Sequence, residues 1–554
     1  MKTDSIIADI QREHVRNRLL RRADWRFLLA DPEPARSICF ADGDLAAAVA
    51  LISGLLVEAE QLTAKDCDLA VAIDPRQDVI ESAWTALRPG GWCYTEWYSP
   101  LAGGTLRVRR RLEAAGFDTV ECYWAWPWPT HGSPQYWLPL DVPGPLHYFL
   151  SSRPADRNVF REAARAGLRA VWRLSVLLRL TLPICAIAHK PVAFDKREQP
   201  ASPSTRDTEV GSPFKTADGR LLDTILANWA GWGLGVTPSK LAWLLLTGGG
   251  RSINKIVGLL FAEAERRPRL AVKIARVPES TAALSREADI LRQIETQQPG
   301  VSGVPRGVFL LERDGLTALG ETVLHGQPLW RLLNPENYRR LALQATDWLA
   351  DLVGNVQPRP PAEWWNRLID PVIAKVQDSF GAILDGALLR DTIKILHTLS
   401  PLPLVCEQRD FSPWNVLVDD RGELVVLDWE SAEPHGLPGM DLIYFQTYLA
   451  FFLTGAMNSG ELREAYRATL DRSSVTGRVI AECAERYACR TGIAMADLDA
   501  LRMFVWLVHA RSEYRQFVSD TGGRPSPELL RRSLFISLWE EELRVAHHGK
   551  ARGN

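Results

Sequence analysis

The segment "VCEQRDFSPWNVLVDDRGELVVLDWE", residues 405–430, restricts this chain more than any other. Residues 402–431 read as two short apolar strands around a polar loop. Asp410 and Asn415 stand five residues apart in that loop, and Asp428 falls where the second strand, "ELVVLDWE" (423–430), ends. Asp is common at turns and strand ends, so each residue alone reads as structural. Together they have the composition of a phosphoryl-transfer site, which needs positioning and charge neutralisation more than covalent chemistry. Asp410 would orient, or take the proton of, an acceptor hydroxyl. Asn415 and Asp428 would hold magnesium through hard oxygen donors.

The remaining parts occur upstream in order. "TGGGRSINKIVGLLF" (247–261) is a Gly-rich turn, Gly248, Gly249 and Gly250, running into an apolar strand. Backbone N–H groups of such a turn suit nucleotide phosphates, although most Gly-rich turns are plain hairpins. "LAVKIAR" (270–276) is a strand with Lys273 at its apolar centre, where a charge needs solvent or a partner. "ESTAALSREADILRQI" (279–294) has a helical apolar period and carries Glu287, which alone would read as a solvated helix charge. "ALGETVLHGQPL" (318–329) is a candidate hinge strand for an adenine edge. All five side chains in this order and spacing point to a nucleotide site.

"RDFSPWNVLVD", followed by "VVLDWESAEPHGLPGMDLIYF", resembles the aminoglycoside phosphotransferase/choline kinase family. The resemblance runs from about Trp243 to Phe445 and is strongest over 408–445. It implies a protein-kinase-like fold, an ATP or GTP cofactor with Mg2+, Asp410 as the catalytic Asp, and Asn415 and Asp428 as metal ligands. It also implies that Lys273 and Glu287 are the phosphate-orienting ion pair, and that Asp441 is a structural tie between loop and helices. Two positions depart from the family. Gln408 stands where a bracing His is usual; an amide both donates and accepts, so it can brace, but it cannot act as a general base. Arg409 stands where a small Gly is usual. It could hold an anionic acceptor or phosphate, or pair with Glu407. The helices at 446–540 would shape the acceptor pocket. Trp506, His509, Arg511, Glu513 and Tyr514 could line it, but the apolar run 503–508 reads as core.

The first half has a different rhythm. "CDLAVAID" (67–74), "PRQDVIESAWTAL", "RPGGWCYTEWY", "LRVRRRLEAAGF" and "DTVECYWAW" alternate strand, helix, strand, helix, strand. This implies an α/β layer on a mostly parallel sheet. "LRPGGWCYTEWY", "LEAAGFDTVECYW" and "YFLSSRP" resemble the later part of class I S-adenosylmethionine methyltransferases, over about 35–154. The expected Gly-rich cofactor turn is reduced to "SICFADGD" (37–44), with Gly43 alone. A degenerate domain serving as scaffold is therefore expected, and S-adenosylmethionine binding is not. Arg161, Arg165, Arg169 and Arg173 form a basic stripe over 160–182. A peripheral membrane helix is conceivable there, and a helix packed on the sheet, before a last strand "ICAIAHKP", is preferred.

The whole reads as an α/β methyltransferase-like domain (1–194), a polar linker (195–214) and an α+β, two-lobed kinase-like domain (215–550). Its small lobe would span about 215–330 and its helical lobe about 331–550. A net charge of −2 gives no bulk attraction to nucleic acid or anionic membrane. Eight Cys without a CxxC pair point to reduced thiols, and the charged N-terminus lacks a signal-peptide core, so a cytoplasmic location is expected. The expected reaction moves a γ-phosphoryl group to a hydroxyl of a small molecule or glycan. The alternatives are a nucleotide-binding pseudokinase scaffold in a cell-envelope glycan pathway, and an active methyltransferase with a kinase-like regulatory domain.

Overall fold

The computed structural model describes residues 15–57, 66–98, 104–152, 183–192, 219–249, 254–263, 265–313, 315–521 and 523–552. The Arg stripe and apolar run over 160–182, the linker 195–214 and Gly250 lie outside these residues. The described residues divide into a sheet unit, within His14–Ser285 and Gly307–Val323, and a helical unit, within Arg286–Arg306 and Leu324–Asn554.

The sheet unit begins with the α/β rhythm expected from sequence. Strands β1 (Arg36–Cys39), β2 (Leu55–Val57), β3 (Cys67–Ile73) and β4 (Leu87–Trp97) are parallel neighbours in the order β2-β1-β3-β4. Helices Gln77–Ala86 and Thr105–Ala114 cross over from β3 to β4 and from β4 to β5 (Thr119–Trp126). Their apolar faces, with Ile80, Ala83, Val108 and Leu112, cover one side of the sheet. The last strand, β7 (Ile184–His189), lies antiparallel between β4 and β5.

Beyond β5 the sheet continues through strands from the other side of the linker. β6 (Tyr136–Pro139) pairs antiparallel with both β5 and β8 (Leu241–Leu246). β9 (Ile256–Ala262), β10 (Leu270–Ile274), β12 (Leu316–Thr322) and β11 (Gly307–Arg313) follow in antiparallel order. The result is one 12-stranded sheet, β11-β12-β10-β9-β8-β6-β5-β7-β4-β3-β1-β2. The sequence separates β1–β7 from β8–β12. The structure joins them because β6 offers its open edge to β8, with Trp137 opposite Leu245, and covering an edge removes unpaired backbone groups.

Large aromatics fill the face shared by the two halves. Trp25 stacks on Tyr94 with ring centroids 3.9 Å apart, and Trp137 and Trp243 are buried in the same cluster as Val272 and Ile274 of β10. Burying a Trp removes about 150–250 Å² from water, worth roughly 4–6 kcal/mol gross each. The helical unit packs Tyr338–Val353, Asp370–Phe380, Met440–Thr454, Val475–Thr491, Met495–Thr521 and Leu534–Arg552 around its own core, matching the helical regions read from sequence. There the apolar run at 503–508 is core, with Trp506 fully buried. The eight Cys, all among the described residues, are unbridged. No helix among the described residues is long and apolar enough to cross a membrane.

A buried charge cluster ties the start of the chain to β10. Asp24 accepts two hydrogen bonds from Arg276, at 3.1 and 3.2 Å, and both side chains are fully buried. Arg276 also donates to the carbonyls of Thr247 (3.0 Å) and Gly248 (3.2 Å), so it clamps the entry to the Gly-rich turn. Arg26 donates to the Arg276 carbonyl at 2.6 Å. Burial lifts the Asp24 carboxyl to about 6, and Arg276 opposes that rise. Removing one member strands a buried charge. Arg276→Met should therefore destabilise the sheet unit by about 3–5 kcal/mol, read as a lower melting temperature. Asp24→Asn added to Arg276→Met should recover part of the loss.

Candidate active site

Strand β14 (Val405–Glu407) pairs antiparallel with β17 (Glu433–Gly436), while β15 (Val416–Val418) and β16 (Leu424–Val426) form a hairpin beside β13 (Gln327–Pro328). The loop 408–415 joins β14 to β15. Phe411 anchors it in the core, stacked on Trp348 at 5.4 Å and packed against Phe445. With the loop pinned by that apolar plug, its polar residues sit around Asp410.

Gln408, the family departure, is fully buried. Its side-chain oxygen accepts the Asp410 N–H at 2.7 Å, and its amide donates to the carbonyls of Leu427 (3.0 Å) and Asp428 (2.6 Å). One carboxamide thus links the backbone of Asp410 to that of Asp428. Asp441 acts from below: its carboxylate accepts the N–H of Gln408 at 2.6 Å and of Arg409 at 2.9 Å. Burial raises the Asp441 carboxyl to about 6, against the pull of those two N–H groups. Asn415 donates to the Asp410 carboxylate at 2.8 Å and to its carbonyl at 3.0 Å, which fixes both the side chain and the loop. Arg409 (φ 66°) and Asp428 (φ 65°) are both left-handed, a conformation that costs a non-Gly residue about 1–3 kcal/mol. The hydrogen bonds around them hold it.

Glu287, on helix Thr281–Gln297, is fully buried and accepts the Trp429 N–H at 2.9 Å. Carboxylate oxygens of Glu287, Asp428 and Glu430 lie within 4.8 Å of one another. Three hard oxygen ligands in one place fit a divalent cation such as Mg2+. Glu430 was missed by sequence reading: it lies past the strand Leu424–Val426, and the left-handed Asp428 brings the two carboxylates together where no strand period predicts it. In the sheet unit, Lys273 is buried on β10 and pairs with Glu321 of β12 at 2.9 Å. The resemblance implies Glu287 as its carboxylate; Glu321, two positions along from the cross-strand neighbour Leu319, is a partner that sequence does not reveal. At the Gly-rich turn, Gly249 has φ +91°, and a Cβ there would meet the Asn254 side chain at 2.6 Å, whereas Gly248 is unconstrained.

Arg409 pairs with Glu407 (3.4 Å) and reaches Glu433 (3.6 Å). Burial pushes the Glu407 carboxyl up to about 7, with Arg409 acting in the opposite direction. Around Asp410, His509 stacks on Tyr444 with centroids 3.9 Å apart. Burial, and then the Arg409 charge, hold the His509 imidazole well below its ordinary value, so it is neutral at working pH. Glu513 is committed to Leu534 N–H at 3.0 Å and to Ser533, and so helps the helix packing. Phe380 packs edge-on against Tyr514.

Residues 260–477 match the phosphotransferase enzyme family, so the fold of this part is kinase-like. No curated protein matches the chain. Among solved structures the chain is similar to the GDP and kanamycin complex of APH(2'')-IIia, at 16% identity and a TM-score of 0.35, over 58% of this chain and 97% of that one. It is also similar to aminoglycoside phosphotransferase APH(3'')-Id from Streptomyces rimosus, at 16% identity and 0.31, over 50% and 97%. A thermostable mutant of aminoglycoside phosphotransferase APH(4)-Ia in its apo form aligns at 12% identity and 0.36, over 59% and 99%.

Two outcomes follow from the site geometry. Gln408→Leu strands one buried N–H and two carbonyls, each costing about 1–3 kcal/mol; melting temperature and any turnover should fall together, while Gln408→His should stay within a few-fold of the parent. His509 has a lower pKa folded than unfolded, so the unfolded chain takes up the proton first. Its contribution is complete above about pH 6.5 and is lost as pH falls below that, at up to about 1.4 kcal/mol per unit. In melting curves across pH 4–8, His509→Phe should flatten the acid side.

Proposed function

We propose that the protein is a phosphotransferase that moves the γ-phosphoryl group of ATP or GTP to a hydroxyl of a small molecule or glycan. The observation that carries this reading is the juxtaposition of Asp410, fixed by Asn415 and Gln408, with the carboxylates of Asp428, Glu430 and Glu287. A structural loop has no need for three clustered carboxylates beside a braced Asp. The family match over 260–477 supports it.

In this reading the Asp410 carboxylate accepts the acceptor's hydroxyl proton. The hydroxyl oxygen bonds to the γ-phosphorus while the bridge from the β-phosphate breaks and its electron pair leaves with the nucleoside diphosphate. Asn415 keeps Asp410 in line for that attack. Asp428, with Asn415 and the neighbouring carboxylates, would hold Mg2+, which supplies charge neutralisation on the phosphates. Lys273 and Glu287 would take the phosphate-orienting roles that the resemblance implies, and the backbone N–H groups of Gly248 and Gly249 would be offered to the phosphates.

We assign the first half to support. At the carboxyl ends of β1 and β4, where an open α/β sheet receives its ligand, the chain's own side chains are in place. Arg22 makes two hydrogen bonds, 2.6 and 2.7 Å, to the fully buried Glu96, which also accepts from Tyr94 and Tyr98. Arg18 pairs with Asp44 at the start of the helix after β1. S-adenosylmethionine does not fit a crevice filled in this way. Titration of the full chain with it should give no binding.

Labelled ATP with a panel of aminoglycosides, choline-like amines and sugars tests the reaction. Asp410→Asn should slow transfer by at least about 100-fold, and Asp428→Ala should abolish metal-dependent turnover. Unchanged turnover in Asp428→Ala would sink the assignment.

A further inference from the structure

Within the helical unit a polar cavity of about 220 Å³ lies against the strand and loop that lead into Asp410. Its charged lining comprises Arg367, Arg409 and Arg511 with Glu407 and Glu433. Apolar side chains of Met440 and Phe504 complete the wall. Three guanidinium groups face two carboxylates, and the pairing is uneven. Arg367 is satisfied by Glu433 at 2.7 Å. Arg409 is shared between Glu407, 3.4 Å from its Nε, and Glu433, at 3.6 Å, and the buried Nε lies in ion-pair range of Glu407 without hydrogen-bond geometry. Arg511 projects from helix Met495–Thr521, and its buried Nε likewise makes no hydrogen bond. Among the described residues Arg511 forms no ion pair.

These donors are costly unless something accepts from them. A buried polar donor without a partner loses about 1–3 kcal/mol, and more when charged. Glu407 offsets only part of the excess charge at neutral pH, because burial raises its carboxyl to about 7. Burial and the neighbouring positive charges depress the Arg511 guanidinium, so an incoming anion relieves both. Arg409 directly precedes Asp410, and Asp441, beside Met440, holds the backbone of both Gln408 and Arg409. A group bound in the cavity is thus one residue along the chain from the proposed catalytic carboxylate.

We propose that this cavity receives an anionic group, phosphate or carboxylate, of the hydroxyl acceptor, with Arg511 and Arg409 as its donors. The inference rests on the phosphotransferase reading for what the acceptor does next, and on the cavity alone for what binds. It distinguishes an anionic acceptor, such as a sugar phosphate or a hydroxy acid, from a polycationic one, which the three arginines would repel.

Matched acceptors test it: a neutral sugar, its phosphate ester and its sugar acid, each measured for binding by calorimetry and for phosphoryl transfer. Both or one of the anionic forms should bind at least about tenfold more tightly than the neutral sugar. The phosphate and acid arms report which anion is preferred. Arg511→Gln should raise the KM or Kd for the anionic form about tenfold to a hundredfold, the range of a charge-assisted hydrogen bond, with a smaller change in kcat. Arg409→Gly is the second variant, because its φ of 66° suits glycine and the backbone need not move. Equal binding of neutral and anionic forms, or full anion binding in both variants, overturns the proposal. Anion binding without any nucleotide turnover in the parent protein upholds the site and defeats the phosphotransferase reading instead.

Discussion

The carboxamide of Gln408 makes three hydrogen bonds that the rest of the site depends on. It accepts from Asp410 and donates to the carbonyls of Leu427 and Asp428, so two loops more than fifteen residues apart in sequence move as one. The strained backbone at Arg409 and Asp428 is affordable only because these bonds, and the two N–H groups held by Asp441, exist. A histidine at this position would present one acceptor and one donor nitrogen. Glutamine presents one acceptor and two donor hydrogens, and both are used. The substitution that looks like a lesion in the sequence is therefore a complete brace in the fold.

A second constraint acts in the sheet unit. β8–β12 do not end at an open edge; β6 pairs with β8 and continues the sheet into the first half. Asp24, from the start of the chain, secures Arg276, and Arg276 grips the carbonyls of Thr247 and Gly248. The entry to the Gly-rich turn is thus held from the first half of the chain. In the same half, Arg22 makes two hydrogen bonds to the buried Glu96.

Much of this was legible in the sequence. Period and composition located β3, β4 and β5 with the helices between them, the helical regions after 336, and the core run at 503–508. Asp410, Asn415 and Asp428 stand out in the sequence by their spacing; the hydrogen bond from Asn415 to the Asp410 carboxylate is what the fold adds. What sequence could not show was long-range. β6 is four residues, "YWLP", too short for a period signal, and its pairing with β8 spans about a hundred residues. Asp24 and Arg276 are 252 apart, and each alone reads as a surface charge. Glu321 was hidden because diagonal cross-strand partners need a register, which only the folded sheet supplies. Arg409 left two readings open; it pairs with Glu407 and also lines a cavity with Arg511.

Amide hydrogen exchange at Asp410 tests the brace most directly. In the parent protein the Asp410 N–H is held by the Gln408 oxygen, so its exchange should be slow, as should that of Gln408 and Arg409. Replacing Gln408 by Leu should release the Asp410 amide alone, while the two amides held by Asp441 stay protected. An Asp410 amide that exchanges at loop-like rates in the parent protein would contradict the account.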